Sequence, residues 1–210
     1  MKTILCFGDS NTWGYEPGTG NRYISEHRWP GIMRDILGSS VAIIEEGLSG
    51  RTTVWDDPLE GFKSGKEYLI PCLQSQRPLD LIVLMLGTND CKARFSLTPS
   101  DISAGVAVLG KIVLSSGAGP GSTAPLLLLV APPPLGPLTD LAEMYKDGSE
   151  KSRQLSQLYK LEAEKLGCSF FDAGTVARVS DIDGVHLSRS SHDAVAKALS
   201  RICVHLLERS

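Results

Sequence analysis

The 210-residue sequence has no apolar run near the ~20 residues needed to cross a bilayer; the longest, such as Leu81–Leu86, are strand-sized. It has no export-signal core either. The apolar stretch Ile4–Phe7 is too short for one and leads straight into Gly-Asp. The expectation is a cytoplasmic protein that starts at residue 1 and has no membrane partner. There is no surplus of basic charge: Lys+Arg 21 against Asp+Glu 24 leaves a formal charge of −3, which disfavours a nucleic-acid partner. The five cysteines (Cys6, Cys72, Cys91, Cys168, Cys203) are odd in number and form no C-x-x-C, so they read as scattered reduced thiols. No zinc-like spacing of His and acids occurs, and neither a metal nor another cofactor is expected. Internal repeats and domain linkers are also missing. One domain over residues 1–210 is the expectation, long enough to bury its own core.

What is present is an alternation of strands and helices. Thr3–Phe7, Val41–Ile44, Leu81–Leu86, Leu126–Val130 and Ser169–Phe171 are short, continuous apolar runs, as strands covered on both faces require. Helical patterns fall between them: Arg28–Leu37, a helix opened by Thr98-Pro99-Ser100-Asp101, Lys151–Leu166, and a last helix from near Ser190. This predicts an α/β protein, a parallel sheet with helices on both faces. Gly14–His27, Arg51–Arg77 and Ala131–Ser149 read as long connections that carry specificity and assembly. Gly117–Thr123 reads as a surface turn, because it has no lysine and precedes a strand, unlike a phosphate loop.

Ligands of an open parallel sheet bind outside the carboxyl ends of its strands. Gly8-Asp9-Ser10-Asn11 follows strand 1. Gly47-Leu48-Ser49-Gly50-Arg51 lies beyond strand 2, and Gly87-Thr88-Asn89-Asp90 follows strand 3. Asp181-Ile182-Asp183-Gly184-Val185-His186 lies beyond strand 5. Ser10 is the candidate nucleophile, and it needs a base. His186 is the best placed of four histidines, in a loop before the last helix with an acid three residues earlier. Asp183 is preferred over Asp181 as that acid on spacing, and it would fix the tautomer while Nε2 faces Ser10. The N–H groups of Ser10 and Gly50 and the side-chain amide of Asn89 are candidate oxyanion donors. Asp9 reads as loop support, Arg51 and Lys92 as salt-bridge partners, and His192 and His205 as structural or surface residues. Cys91 lies beside the third motif but has no base near it in sequence.

These four motifs, in this order over residues 7–187, resemble the SGNH (GDSL-like) hydrolases. Asn11 departs from the leucine frequent in the first block, and Glu45 stands where the second block often has Asn. A narrower resemblance, carried by CFGDSNTWGY, EEGLSGRTT, PLDLIVLMLGTNDCK, APPPL and DGVHL, is to the bacterial arylesterase/acyltransferase branch. It implies a three-layer α/β/α sandwich with a five-stranded parallel sheet, flavodoxin-like. It also implies a serine esterase on small acyl and aryl esters, with acyl transfer to alcohols or peroxide in some members. A homo-oligomer, octameric in known members, and a narrow apolar channel come with it. Trp13, Tyr15, Trp55, Lys92 and Val185 are placed near the motifs to line such a channel. Two other readings stay open: a carbohydrate acetylesterase or acyl thioesterase on the same machinery, and an inactive ligand-binding or scaffold protein.

Overall fold

The computed structural model describes residues 1–209. Five strands, β1 (Lys2–Gly8), β2 (Val41–Gly47), β3 (Leu81–Met85), β4 (Leu126–Ala131) and β5 (Ser169–Asp172), form one parallel sheet in the order β2-β1-β3-β4-β5. All five lie where the apolar runs predicted them. This is the flavodoxin-like order, whose switch point between β1 and β3 opens a crevice at their carboxyl ends.

The helices are α1 (Ser10–Trp13), α2 (Trp29–Leu37), α3 (Gly65–Gln76), α4 (Pro99–Ser115), α5 (Gly148–Leu166) and α6 (Arg189–Glu208). Alternate strand residues feed two separate cores. Ile4, Cys6, Leu81, Val83, Met85, Leu128 and Val130 pack against Trp29 and Met33 of α2 and Val195, Leu199 and Cys203 of α6. Leu5, Phe7, Ile82, Leu84, Leu127 and Leu129 pack against α3, α4 and α5 through Leu69, Leu73, Ile102, Val106, Leu155 and Tyr159. The strands had to be apolar throughout because each face meets a helical layer.

The start of α4 follows its sequence signal. Thr98 Oγ1 accepts from the Asp101 N–H at 3.2 Å, and Asp101 Oδ2 accepts from the Thr98 N–H at 2.9 Å. Such a reciprocal cap contributes about 1 kcal/mol. Two of the long connections are more ordered than the sequence predicts. Arg51–Arg77 contains α3, hidden by an interior Pro71 and by an apolar face of only Leu69, Cys72 and Leu73. Residues 14–23 fold back as a hairpin, with Tyr23 N–H donating to Gly14 O at 2.7 Å and Tyr15 paired with Arg22. Among the described residues no helix is long and apolar enough to cross a membrane.

Candidate active site

β1 ends at Gly8 and α1 begins two residues later. Asp9 caps α1, its Oδ1 accepting from the Asn11 N–H at 2.9 Å, which places Ser10 at the first helical position. Burial is the main cause that pushes the Asp9 carboxyl up to about 6; the Asn11 N–H and the nearby His186 and Arg51 charges pull the other way. The short helix lies directly on the end of β2. A Cβ on Gly47 would come within 2.1 Å of the Trp13 backbone nitrogen, so only glycine permits this approach.

The loop before α6 carries the second half of the site. Asp183 Oδ2 meets His186 Nδ1 at 2.8 Å, and Asp183 Oδ1 accepts the N–H groups of Val185 and His186 at 2.9 and 3.0 Å. Burial opposes ionisation of Asp183. The hydrogen bonds from the His186 ring and the two N–H groups outweigh it and hold the carboxyl below its usual range. The turn requires Gly184, which has φ 73° and no room for a Cβ, since one would lie 2.3 Å from Pro137 O. The Tyr15 ring stacks on the His186 ring at 4.0 Å between centroids. Asn11 joins this loop to α1, donating to Val185 O at 3.3 Å and accepting the Leu187 N–H at 2.8 Å.

The other two motifs meet at the ends of β2 and β3. Asn89 Nδ2 donates to Arg51 O at 3.0 Å, and its Oδ1 accepts from the Tyr145 hydroxyl at 3.1 Å. The amide is therefore oriented from both sides and keeps one N–H unused. Among the described residues the Ser10 and Gly50 N–H groups meet no protein acceptor, and neither does Ser10 Oγ. Asp90 is fully buried and accepts from Thr53 N–H at 3.0 Å and Thr53 Oγ1 at 2.5 Å, tying the third motif to the loop after the second. Desolvation lifts its carboxyl to about 6 despite those bonds.

Arg51 departs from its sequence reading, whereas Lys92 as a salt-bridge partner and His192 as a structural residue agree with theirs. Arg51 forms no salt bridge among the described residues. Its Nη1 donates to Gly8 O at 2.9 Å and to Glu46 O, and the guanidinium lies over the Phe7 ring at 4.2 Å. Strand-terminal carbonyls need donors once buried, and Arg51 supplies them. Lys92 is a salt-bridge partner, with Nζ 2.9 Å from Glu60 Oε1 and 3.4 Å from Asp57 Oδ2, and its side chain is 3% exposed. Trp13 lies under the Arg22 guanidinium, Val185 is buried, and Trp55 is 39% exposed. Cys91 is fully buried, and desolvation pushes its thiol up to about 12, unsuited to a nucleophile. His192 accepts the Trp29 N–H on Nδ1 inside the α2–α6 packing, and desolvation drops its pKa to about 3.

A family model described as GDSL-like Lipase/Acylhydrolase matches residues 6–194. The chain belongs to the GDSL-like lipase/acylhydrolase family. Solved structures agree. The native aryl esterase of M. smegmatis is 41% identical, with 98% of this chain and 100% of that one covered at a TM-score of 0.94. Est24, a carbohydrate acetylesterase from Sinorhizobium meliloti, is 43% identical over 98% and 100% of the two chains at 0.95. A putative arylesterase from Agrobacterium tumefaciens is 40% identical over 98% and 100% at 0.90. The comparison with curated proteins finds no match. The protein is a carboxylic ester hydrolase on the SGNH fold. Within this GDSL-like hydrolase, two polar contacts escaped the sequence reading: Tyr145 on Asn89 and Asn11 on the His186 loop. Tyr145 lies 56 positions from its partner in an irregular segment, and no local pattern signals it.

Proposed function

We propose that this hydrolase works through an acyl-enzyme on Ser10. His186 Nε2 takes the hydroxyl proton as Ser10 Oγ attacks the ester carbonyl. Asp183 holds the Nδ1–H tautomer and stabilises the imidazolium. The oxyanion is received by the Ser10 and Gly50 N–H groups and the Asn89 amide. His186 then returns its proton to the leaving alcohol, and water repeats the sequence on the acyl-enzyme. The observation that carries this reading is the 2.8 Å Asp183–His186 pair, on a loop that Asn11 ties to the helix opened by Ser10. The unpaired N–H groups of Ser10 and Gly50 support the oxyanion assignment.

The substrate class we propose is small acyl and aryl esters, as the similarity to the aryl esterase suggests. Sugar acetates form a second reading, favoured by the 43% identity to a carbohydrate acetylesterase. Transfer of the acyl group to alcohols or peroxide belongs to the same proposal, with Tyr15, Trp13 and Trp55 as candidate walls and the buried Val185 and Lys92 as candidate supports. One catalytic unit over residues 1–210, a cytoplasmic site and a homo-oligomer complete it. Five unpaired cysteines support the reducing compartment. Exposed Leu59 and Phe62, at 78% and 91%, support a contact surface on the loop after β2. Ser10→Ala should abolish 4-nitrophenyl acetate turnover, and a phosphonylating ester should add one mass label, on Ser10. An active variant, a label elsewhere or the absence of a label refutes the mechanism. Sedimentation as a 210-residue monomer refutes the oligomer.

A further inference from the structure

Arg22, Arg28 and Arg34 converge on a single carboxylate, Glu45. Arg28 engages both oxygens, Nε to Oε2 at 2.5 Å and Nη2 to Oε1 at 3.2 Å. Arg34 Nη2 adds a contact to Oε1 at 2.6 Å. Both are further committed to Tyr23 O, Ser25 Oγ and Ile43 O. Arg22 comes third. Its Nη2 stands 3.5 Å from Oε2, and its Nη1 meets no acceptor among the described residues. It is nevertheless held in place. Nε donates to Trp13 O at 2.8 Å, and the guanidinium lies over the Trp13 ring. Its side chain is 39% exposed.

Three cations thus share one anion, and the least satisfied of them faces solvent. Burial and the charge of Arg28 pull the Arg22 pKa down against Glu45, as expected where counter-charge is short. The acid on the same hairpin, Glu16, accepts from Thr19 Oγ1 at 2.9 Å. Position then gives the surplus a use. Arg22 pairs across the hairpin with Tyr15, whose ring stacks on His186. The carbonyl it grips ends the helix that begins at Ser10. A guanidinium fixed through Nε, with Nη1 unpaired and Nη2 held only by the 3.5 Å contact to Glu45, keeps donors for a second carboxylate, whose two oxygens match its planar geometry.

We infer that Arg22 is an anion-recognising group beside the esterase site, and that the enzyme favours esters carrying a carboxylate over neutral esters of the same size. The inference rests on the proposed Ser10–His186 esterase reading.

The test uses matched ester pairs at low salt. On the acyl side, the mono-4-nitrophenyl ester of glutaric acid is set against 4-nitrophenyl pentanoate. On the alcohol side, 4-acetoxybenzoate is set against its methyl ester. In at least one pair, the anionic-to-neutral ratio of kcat/KM should fall about tenfold in Arg22→Gln, the scale of one charge-assisted contact. Arg22→Lys should keep part of the preference, and added salt should erode it in the wild type. Ratios that move less than about twofold in both pairs overturn the inference. Activity of Arg22→Gln on the neutral esters reports that the variant is folded. A wild type inert toward all four esters and 4-nitrophenyl acetate would instead refute the esterase reading itself.

Discussion

Asn11 and Leu187 lie 176 positions apart, and the Leu187 N–H donates to Asn11 Oδ1 at 2.8 Å. The same amide donates to Val185 O, so one buried side chain holds both neighbours of His186. The first and last motifs of the chain are coupled through a residue that neither forms a covalent bond nor moves a proton in the proposed mechanism. Leucine at this position would fill similar space without either hydrogen bond.

Asn11→Leu is therefore expected to leave Val185 O and the Leu187 N–H unpaired in a buried setting, at about 1–3 kcal/mol for each group. The melting temperature should fall. The kcat/KM for 4-nitrophenyl acetate should fall about tenfold or more, because small displacements of a catalytic base are costly. Thermal unfolding and steady-state kinetics on the purified variant check both. Wild-type kcat/KM would show that His186 is positioned by other contacts.

Asn89 and Tyr145 separate donation from orientation. In the proposed mechanism, Asn89→Ala removes an oxyanion donor and should lower kcat by roughly 10²–10³. Tyr145→Phe removes only the 3.1 Å contact that fixes the amide. It should cost one neutral hydrogen bond, about 0.5–1.5 kcal/mol, seen as a modest loss in kcat. The double variant should be no worse than Asn89→Ala, since Tyr145 acts through Asn89. Additive losses would assign Tyr145 a separate role.

Asp90 gives a pH dependence of stability opposite to that of an ordinary paired carboxylate. Burial raises its folded pKa from 3.8 to about 6. The folded state then holds the proton more tightly than the unfolded chain. Its contribution is fully present below pH 3.8 and is lost as the pH rises to about 6. The loss amounts to at most roughly 3 kcal/mol, taken from about two pK units. Asp9 acts in the same direction. Asp90→Asn keeps an acceptor for Thr53 and removes the charge. Urea unfolding at intervals from pH 4 to 7 should give a shallower decline for this variant than for the wild type, with higher stability above pH 6. Parallel curves would show that Asp90 ionises without penalty.

The sequence by itself determined the frame. Five continuous apolar runs predicted β1 to β5, because strands covered on both faces carry no polar alternation to confuse the period. The Thr98–Asp101 cap and the apolar faces of α4, α5 and α6 were equally plain, because capping and amphipathic spacing act within a turn or two of helix. The candidate site residues were legible for a related reason: small and polar residues collected just beyond the apolar runs, where a parallel sheet opens its crevice. The Asp183–His186 pair needed only a three-residue turn with Gly184 between.

The tertiary structure decided what depends on distant partners. Helix α3 was invisible because Pro71 breaks the local signal, and its stability comes from burying Leu69, Cys72 and Leu73 against the sheet. The roles of Asn11, Arg51 and Tyr145 were set by carbonyls, N–H groups and an amide at the far ends of other segments. The surplus charge around Glu45 arises only because a hairpin, the start of α2 and its last turn bring Arg22, Arg28 and Arg34 together. Apolar burial and capping are written in neighbouring residues. Hydrogen-bond partners and charge balance are properties of what the folded chain places side by side.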